Sequence, residues 1–341
     1  MALLAALVAM TTASPAMPAA PGSTYHLAQE VPLPGDEGWD DLAYSPRSGL
    51  LYITHGTVVQ VVDGHTFKLV QTIPDVQGGH AVAIAEEIGL GFASAGRADS
   101  VVEFELNTLA RLAVIKTTGS NPDAIAYDPT TRRVFSFNGR GRNVTAIDAQ
   151  QSTVIGTIAL DAKPEFAVAD GKGHLYVNLE DKNSLAVIDP RKLAVREVWP
   201  LSGCEEPSGL AIDVPHQRLF SVCSNKTMLI VDARNGRVLA TLPIGGRVDG
   251  VAFDDAAQLA FASGGDGTIT VVHEDSPDHF SVTATVPTRL GARTITVDPV
   301  GHRVFSVTAK FGAPPPTATP GTPAARPTLE PGSFRLLVVE P

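Results

Sequence analysis

The sequence lacks the short catalytic signatures that can be read without a structure: no GxSxG elbow, P-loop, HExxH or CxxC motif occurs in its 341 residues. No nucleophile, phosphate cradle or zinc-protease pair is therefore assigned by motif. Positive charge is scarce, with 26 Lys and Arg against 36 Asp and Glu and a formal net charge of −10. Binding to a phosphate backbone is supplied by Lys and Arg, so the composition argues against a nucleic-acid partner. A long apolar run is missing too. Residues 1–20, MALLAALVAMTTASPAMPAA, are apolar and small but too short in their uncharged run to span a bilayer. They read as an export signal cleaved after Ala16 or Ala20, although no Lys or Arg precedes the apolar run. A periplasmic or secreted protein without a membrane span is the expectation. Cysteine is nearly absent. Cys204 and Cys223 are the only pair, and in an oxidising compartment a disulfide pinning the loop around Cys204 is the expected outcome.

Helical periodicity is also missing, and what stands in its place is a repeat. Residues 121–160 read as four short strands, AIAYD, RVFSFN, NVTAID and VIGTIAL, separated by turn-type breaks. The residue ending the first strand recurs as Ser45, Ala85, Asp128, Asp170, Asp213, Asp254 and Asp298, at intervals of 40 to 44 residues. A four-stranded unit of that length is the mark of a propeller blade. The fold class is therefore all-β: a seven-bladed β-propeller of four-stranded antiparallel blades. Each blade packs only on its neighbours, so residues 21–341 form a single domain despite their number. Residues 25–33, YHLAQEVPL, match a fourth strand, whereas residues 334–340, FRLLVVE, match a third. The N-terminal strand is thus expected in the last blade, where it closes the ring and removes an exposed β-edge. Residues 311–333, rich in proline, interrupt blade seven between its second and third strands and read as an extended, unpaired insertion.

Blade topology sorts the loops onto two faces. The residue five before each register position is Asp40, His80, Asp123, Glu165, Ser208, Asp249 and Arg293. These equivalent positions open the innermost strands and should ring the upper mouth of the central channel. Like charges so placed raise one another's pKa values unless a cation or proton compensates. His80, Asp123 and Glu165, from three consecutive blades, form a candidate metal set suited to Zn²⁺ or Fe²⁺, while the carboxylates alone suit Ca²⁺. The candidate ligand-binding set is Trp39, Asp40, His55, Asn121, Asp123, Lys163, Glu165, Asp249 and Arg293, with Arg293 placed to hold an anionic group. The plain alternative is a water-filled ring neutralised by Arg293 and Lys163. On the lower face, His65, His174, His216 and His302 read as solvated turn residues, and His273, Glu274 and Asp275 as structural.

First strands ending in Asp-Pro, second strands such as Tyr52-Ile53-Thr54-His55 and Tyr176-Val177-Asn178, and third strands ending in Val-Ile-Asp carry a resemblance. The repeat grammar resembles that of the YVTN-repeat propellers of the YncE-like family, over nearly all the chain after Ala20, although no blade has the full Tyr-Val-Thr-Asn. A WD40 reading is disfavoured, because the single Trp39-Asp40 pair sits at the start of a first strand. The resemblance implies an exported bacterial propeller and supplies no catalytic residues. Function then rests on the ring: an exported monomer that binds a small polar ligand, a divalent metal ion (Ca, Zn or Fe) or a protein partner at the upper channel mouth. The alternative is a metal-assisted lactonase or lyase acting there on a sugar-like or carboxylated substrate. Related folds host such chemistry, but a fold does not transfer it.

Overall fold

Strand-length segments enriched in Val, Ile, Thr and aromatic residues, broken every few residues by Gly, Asp and Asn turns, leave no room for a helix to nucleate. The computed structural model describes residues 25–312 and 328–341. Among them, only the 3₁₀ turns Gly96–Ala98 and Glu180–Lys182 depart from strand and loop. The strands form seven four-stranded sheets. Their first strands are Trp39–Ser45, Gly79–Ala85, Pro122–Asp128, Pro164–Ala169, Pro207–Asp213, Val248–Asp254 and Ile295–Asp298. Each lies against the first strands of the blades on either side, which makes a closed ring of seven blades.

Blade seven is assembled from both ends of the described chain. Its strands run Ile295–Asp298, Arg303–Thr308, Arg335–Glu340 and, outermost, His26–Pro32. His26 faces Glu340 and Pro32 faces Arg335 in antiparallel register, and the Leu33 amide donates to the Phe334 carbonyl at 3.0 Å. The expected closure by the N-terminal strand is what is found.

The core is not one mass but seven seams. The second residue after the start of each second strand is aromatic in most blades, and Tyr52, Phe92, Phe135, Tyr176, Phe220, Phe261 and Phe305 are all buried. Each enters a different apolar cluster between two consecutive blades. Truncating one such ring to alanine removes about 3–5 kcal/mol, so the seams hold the inner strands in place and, with them, the channel mouth.

Cys204 and Cys223 are disulfide-bonded, with Cα atoms 5.4 Å apart. The bridge ties the loop that leads into the first strand of blade five to the end of that blade's second strand. Among the described residues, no helix is long and apolar enough to cross a membrane. The base of the insertion departs from the unpaired segment expected: Phe311 bridges Leu329, the Gly312 amide donates to the Thr328 carbonyl at 2.7 Å, and that of Glu330 to Lys310 at 2.9 Å. Backbone groups at the base of the insertion are paired instead of solvated, and its residues 313–327 lie outside the described residues. The export signal expected over residues 1–20 lies outside the described residues.

Candidate functional site

Six of the seven first strands slip register just after their first residue, as between Trp39 and Leu42, Gly79 and Val82, and Pro122 and Ile125. A β-bulge breaks strict alternation and re-aims a side chain. In those six blades it lies where the rim side chain turns into a shared cavity, whereas Arg293 of blade seven precedes the strand Ile295–Asp298. Asp40, His80, Asp123, Glu165, Ser208, Asp249 and Arg293 all line one cavity of about 290 Å³, together with Asp41, Lys163, Phe166 and Glu180.

The rim is fixed through its backbone. The Thr54 hydroxyl lies 2.9 Å from the carbonyls of both Asp41 and His80. Ser94 donates to the Asp123 carbonyl at 2.5 Å, Asn178 to that of Ser208 at 3.0 Å, and Ser263 to that of Arg293. All four donors are buried, and each reaches from the second strand of one blade to the rim residue of the next. A buried carbonyl with a donor is held in one geometry. Close approach adds a second constraint, since a Cβ on Gly96 would fall 2.6 Å from the His80 ring.

The charges around the rim form a chain. Asp249 accepts from Arg293 Nε at 2.7 Å, and Arg293 Nη2 reaches Asp40 at 3.1 Å. Asp40 Oδ2 lies 2.6 Å from His80 Nδ1, which lies 3.4 Å from Asp123 Oδ1. Beyond Asp123, Lys163 pairs with Glu165 at 2.6 Å and with Glu180. Six carboxyl groups thus share one cavity with two committed cations and one histidine.

This excess shows in the acid–base behaviour of the group. Burial, then the charges of Asp40 and Asp249, raises Asp41 well above the usual carboxylate range. Burial also raises Asp123, with His80 opposing and Asp40 adding to the effect. Asp249 is pushed up to about 6 by burial and the Asp40 charge, against the pull of Arg293. Glu165 is pushed up to about 8 by burial and the Asp123 charge, against Lys163. Burial acts to lower His80, but its hydrogen bond to Asp40 and the charges of Asp123 and Asp40 outweigh that and raise it. The cavity favours whatever adds positive charge, either protons or a cation.

Several sequence expectations are redistributed. The donor atoms of Asp40, His80 and Asp123 lie within 4.8 Å of one another. Asp40 therefore stands where Glu165 was expected, because Glu165 is held by Lys163. Trp39, His55 and Asn121 do not line the cavity. Trp39 sits one residue before Asp40 and so turns outward into the seam of blades seven and one, against Phe334 at 5.7 Å. His55, opposite Trp39 in the sheet, packs on the same Phe334 at 4.3 Å. Asn121 is a turn residue at positive φ whose amide donates to Asp99 and whose carbonyl accepts from Gly139. Arg293 is engaged on two of its three nitrogens, Nε by Asp249 and Nη2 by Asp40. The reading of the sequence missed Asp41 and the buried donors Thr54, Ser94 and Ser263. Their signal is a polar residue in third position of motifs such as Tyr-Ile-Thr and Phe-Ala-Ser.

The strands and their innermost residues define a seven-bladed β-propeller with an acidic cavity shared by all seven blades. No protein-family model matches the chain, and no curated protein does. Solved structures share the fold. The chain is similar to a structure described as Kuenenia stuttgartiensis hydrazine synthase, with a TM-score of 0.68 and 18% identity over 80% of this chain and 94% of that one. It is also similar to the RRP9 WD40 repeats, with a TM-score of 0.76 and 10% identity over 92% of this chain and 98% of that one. A chain in the mitotic checkpoint complex gives a TM-score of 0.73 at 12% identity, over 89% of this chain and 96% of that one. At such identities the likeness is one of architecture, and chemistry has to be argued from the rim itself.

Proposed function

We propose that this chain is an exported binding propeller, of the YncE-like kind that its repeats resemble, whose upper channel mouth takes a divalent metal ion. The observation that carries the reading is the set Asp40, His80 and Asp123, whose donor atoms lie within 4.8 Å of one another inside a cavity with more carboxylates than cations. Carboxylate, imidazole and carboxylate donors suit Zn²⁺ or Fe²⁺ better than Ca²⁺, which prefers oxygen throughout. Positions left open by three protein ligands face the channel mouth, where a small polar ligand or a partner's side chain completes the shell. The test is calorimetric titration of the metal-stripped protein with Zn²⁺ and with Ca²⁺. Loss of one equivalent of bound Zn²⁺ on introducing Asp123→Ala with Glu165→Ala, at unchanged fold, supports the reading. Equal binding by the variant refutes it.

A second reading, a metal-assisted lactonase or lyase, is favoured by one observation, the Glu165 carboxyl pushed up to about 8 beside the triad. In the metal-free chain burial and the Asp123 charge favour its protonated form, which places a proton-exchanging group beside the triad. Under this reading Glu165→Gln abolishes turnover of a lactone panel while Zn²⁺ uptake persists. Absence of turnover by the metal-loaded wild type leaves the binding function alone standing.

A further inference from the structure

The lower face carries a second cluster. Asp213 closes the first strand of blade five, at the end opposite Ser208. Three residues on, His216 Nδ1 lies 2.7 Å from Asp213 Oδ2 and 3.0 Å from Glu274 Oε1, which comes from blade six. The donor atoms of these three side chains lie within 4.8 Å of one another.

Pairing of an aspartate with a turn histidine is ordinary on this face. Asp170 with His174 and Asp254 with His302 make the same contact at 2.7 Å. Glu274 is what sets blades five and six apart. Its amide donates to the carbonyl of Gln258 at 2.9 Å, the turn residue before a second strand. The same bond is made by Gly64, Leu106, Ala149 and Ala233 in four other blades. At a position where the repeat otherwise places a small or apolar residue, blade six places a carboxylate. A break in register between Glu274 and Ser276 accompanies it and turns the side chain inward.

Glu274 is 4% exposed, and neither of its carboxylate oxygens accepts a well-formed hydrogen bond, its ion-pair neighbour being the His216 ring at 3.0 Å. A buried carboxylate whose cationic partner is a histidine shared with Asp213 is costly. Arg218 is buried nearby, but directs its guanidinium to the carbonyls of His216, Gln217 and Pro277 and to Asp278. The His216 side chain is 38% exposed, so the cluster opens to solvent on one side.

We propose that Asp213, His216 and Glu274 form a second cation site, on the face opposite the channel mouth, that takes a divalent transition ion such as Zn²⁺. The donor set is two carboxylates and one imidazole, and solvent reaches the remaining positions through His216. The site does not depend on the reading of the channel mouth.

The experiment uses the full chain carrying His80→Ala and Asp123→Asn, which removes the upper triad. The protein is dialysed to equilibrium against Zn²⁺ and its metal content measured. One equivalent retained by this background, and lost on adding either Glu274→Ala or His216→Ala, is the expected result. Alanine stands at the equivalent position in two other blades, so Glu274→Ala should fold and melt no lower than its parent. A background that holds no Zn²⁺ overturns the proposal. Zn²⁺ that survives Glu274→Ala overturns it as well, because the ion then sits elsewhere.

Discussion

The Thr54 hydroxyl of blade one stands 2.9 Å from the carbonyl of His80 in blade two, so the backbone of the rim histidine is held by the neighbouring blade. The same hydroxyl faces the Asp41 carbonyl at the same distance. Thr54→Val keeps the shape and removes the one hydroxyl that these two part-buried carbonyls share. The expected cost is about 1–3 kcal/mol of stability, together with weaker Zn²⁺ binding at the mouth. Denaturant unfolding and calorimetry check the two effects separately, and undiminished affinity contradicts a positioning role for Thr54.

Ring closure by His26–Pro32 makes a strong demand on the N-terminal strand. Its deletion, as residues 21–33, uncovers Arg335–Glu340 along its whole length and opens the seam that contains Leu33 and Phe334. The melting temperature should fall by several degrees for each kcal/mol lost. A truncated chain that melts with the wild type would show that blade seven is stable with three strands.

The bridge between Cys204 and Cys223 closes a loop of 19 residues. Loop-closure entropy makes it worth roughly 3 kcal/mol. Replacing both cysteines by serine should lower unfolding free energy by that order while leaving metal uptake at the mouth unchanged, since neither residue lines the cavity. Equal stability of the double variant and the wild type would contradict this.

The rim also dictates how stability responds to pH. Asp249 moves from 3.8 to about 6 and Glu165 from 4.5 to about 8 on folding. Both groups hold protons more tightly when folded, so their contribution is complete below the unfolded values and is lost as pH rises through the folded ones. The raised His80 acts in the same direction. The metal-free protein should therefore melt lower at about pH 8 than at about pH 5, and Glu165→Gln should flatten the slope. Added Zn²⁺ should raise the melting temperature more at the higher pH. A wild-type curve that rises across this window contradicts the assignment.

Much of this was legible in the sequence, and for definite reasons. Fixing the register on Asp128 and its counterparts determines which residue opens each inner strand, so the whole ring from Asp40 to Arg293 could be named before any coordinates. The order of contacts within the ring could not. Whether Asp123 turns to His80 or to Glu165 depends on Lys163, two residues from Glu165, and on the bulge that follows Pro122 in its own strand. Trp39 and His55 were misplaced because a residue beside a rim position points the other way, into the seam against Phe334. The burial of Glu274 beside His216 was not legible, because it comes with a local break in pairing and a histidine from the preceding blade, neither of which leaves a trace in spacing.

The most direct test of the channel-mouth site is the metal content of two full-length proteins dialysed to equilibrium against Zn²⁺: the wild type, and the variant carrying His80→Ala and Asp123→Asn. The account predicts that the wild type retains one equivalent more than the variant, with both chains equally folded by circular dichroism. Identical metal content in the two proteins would contradict it.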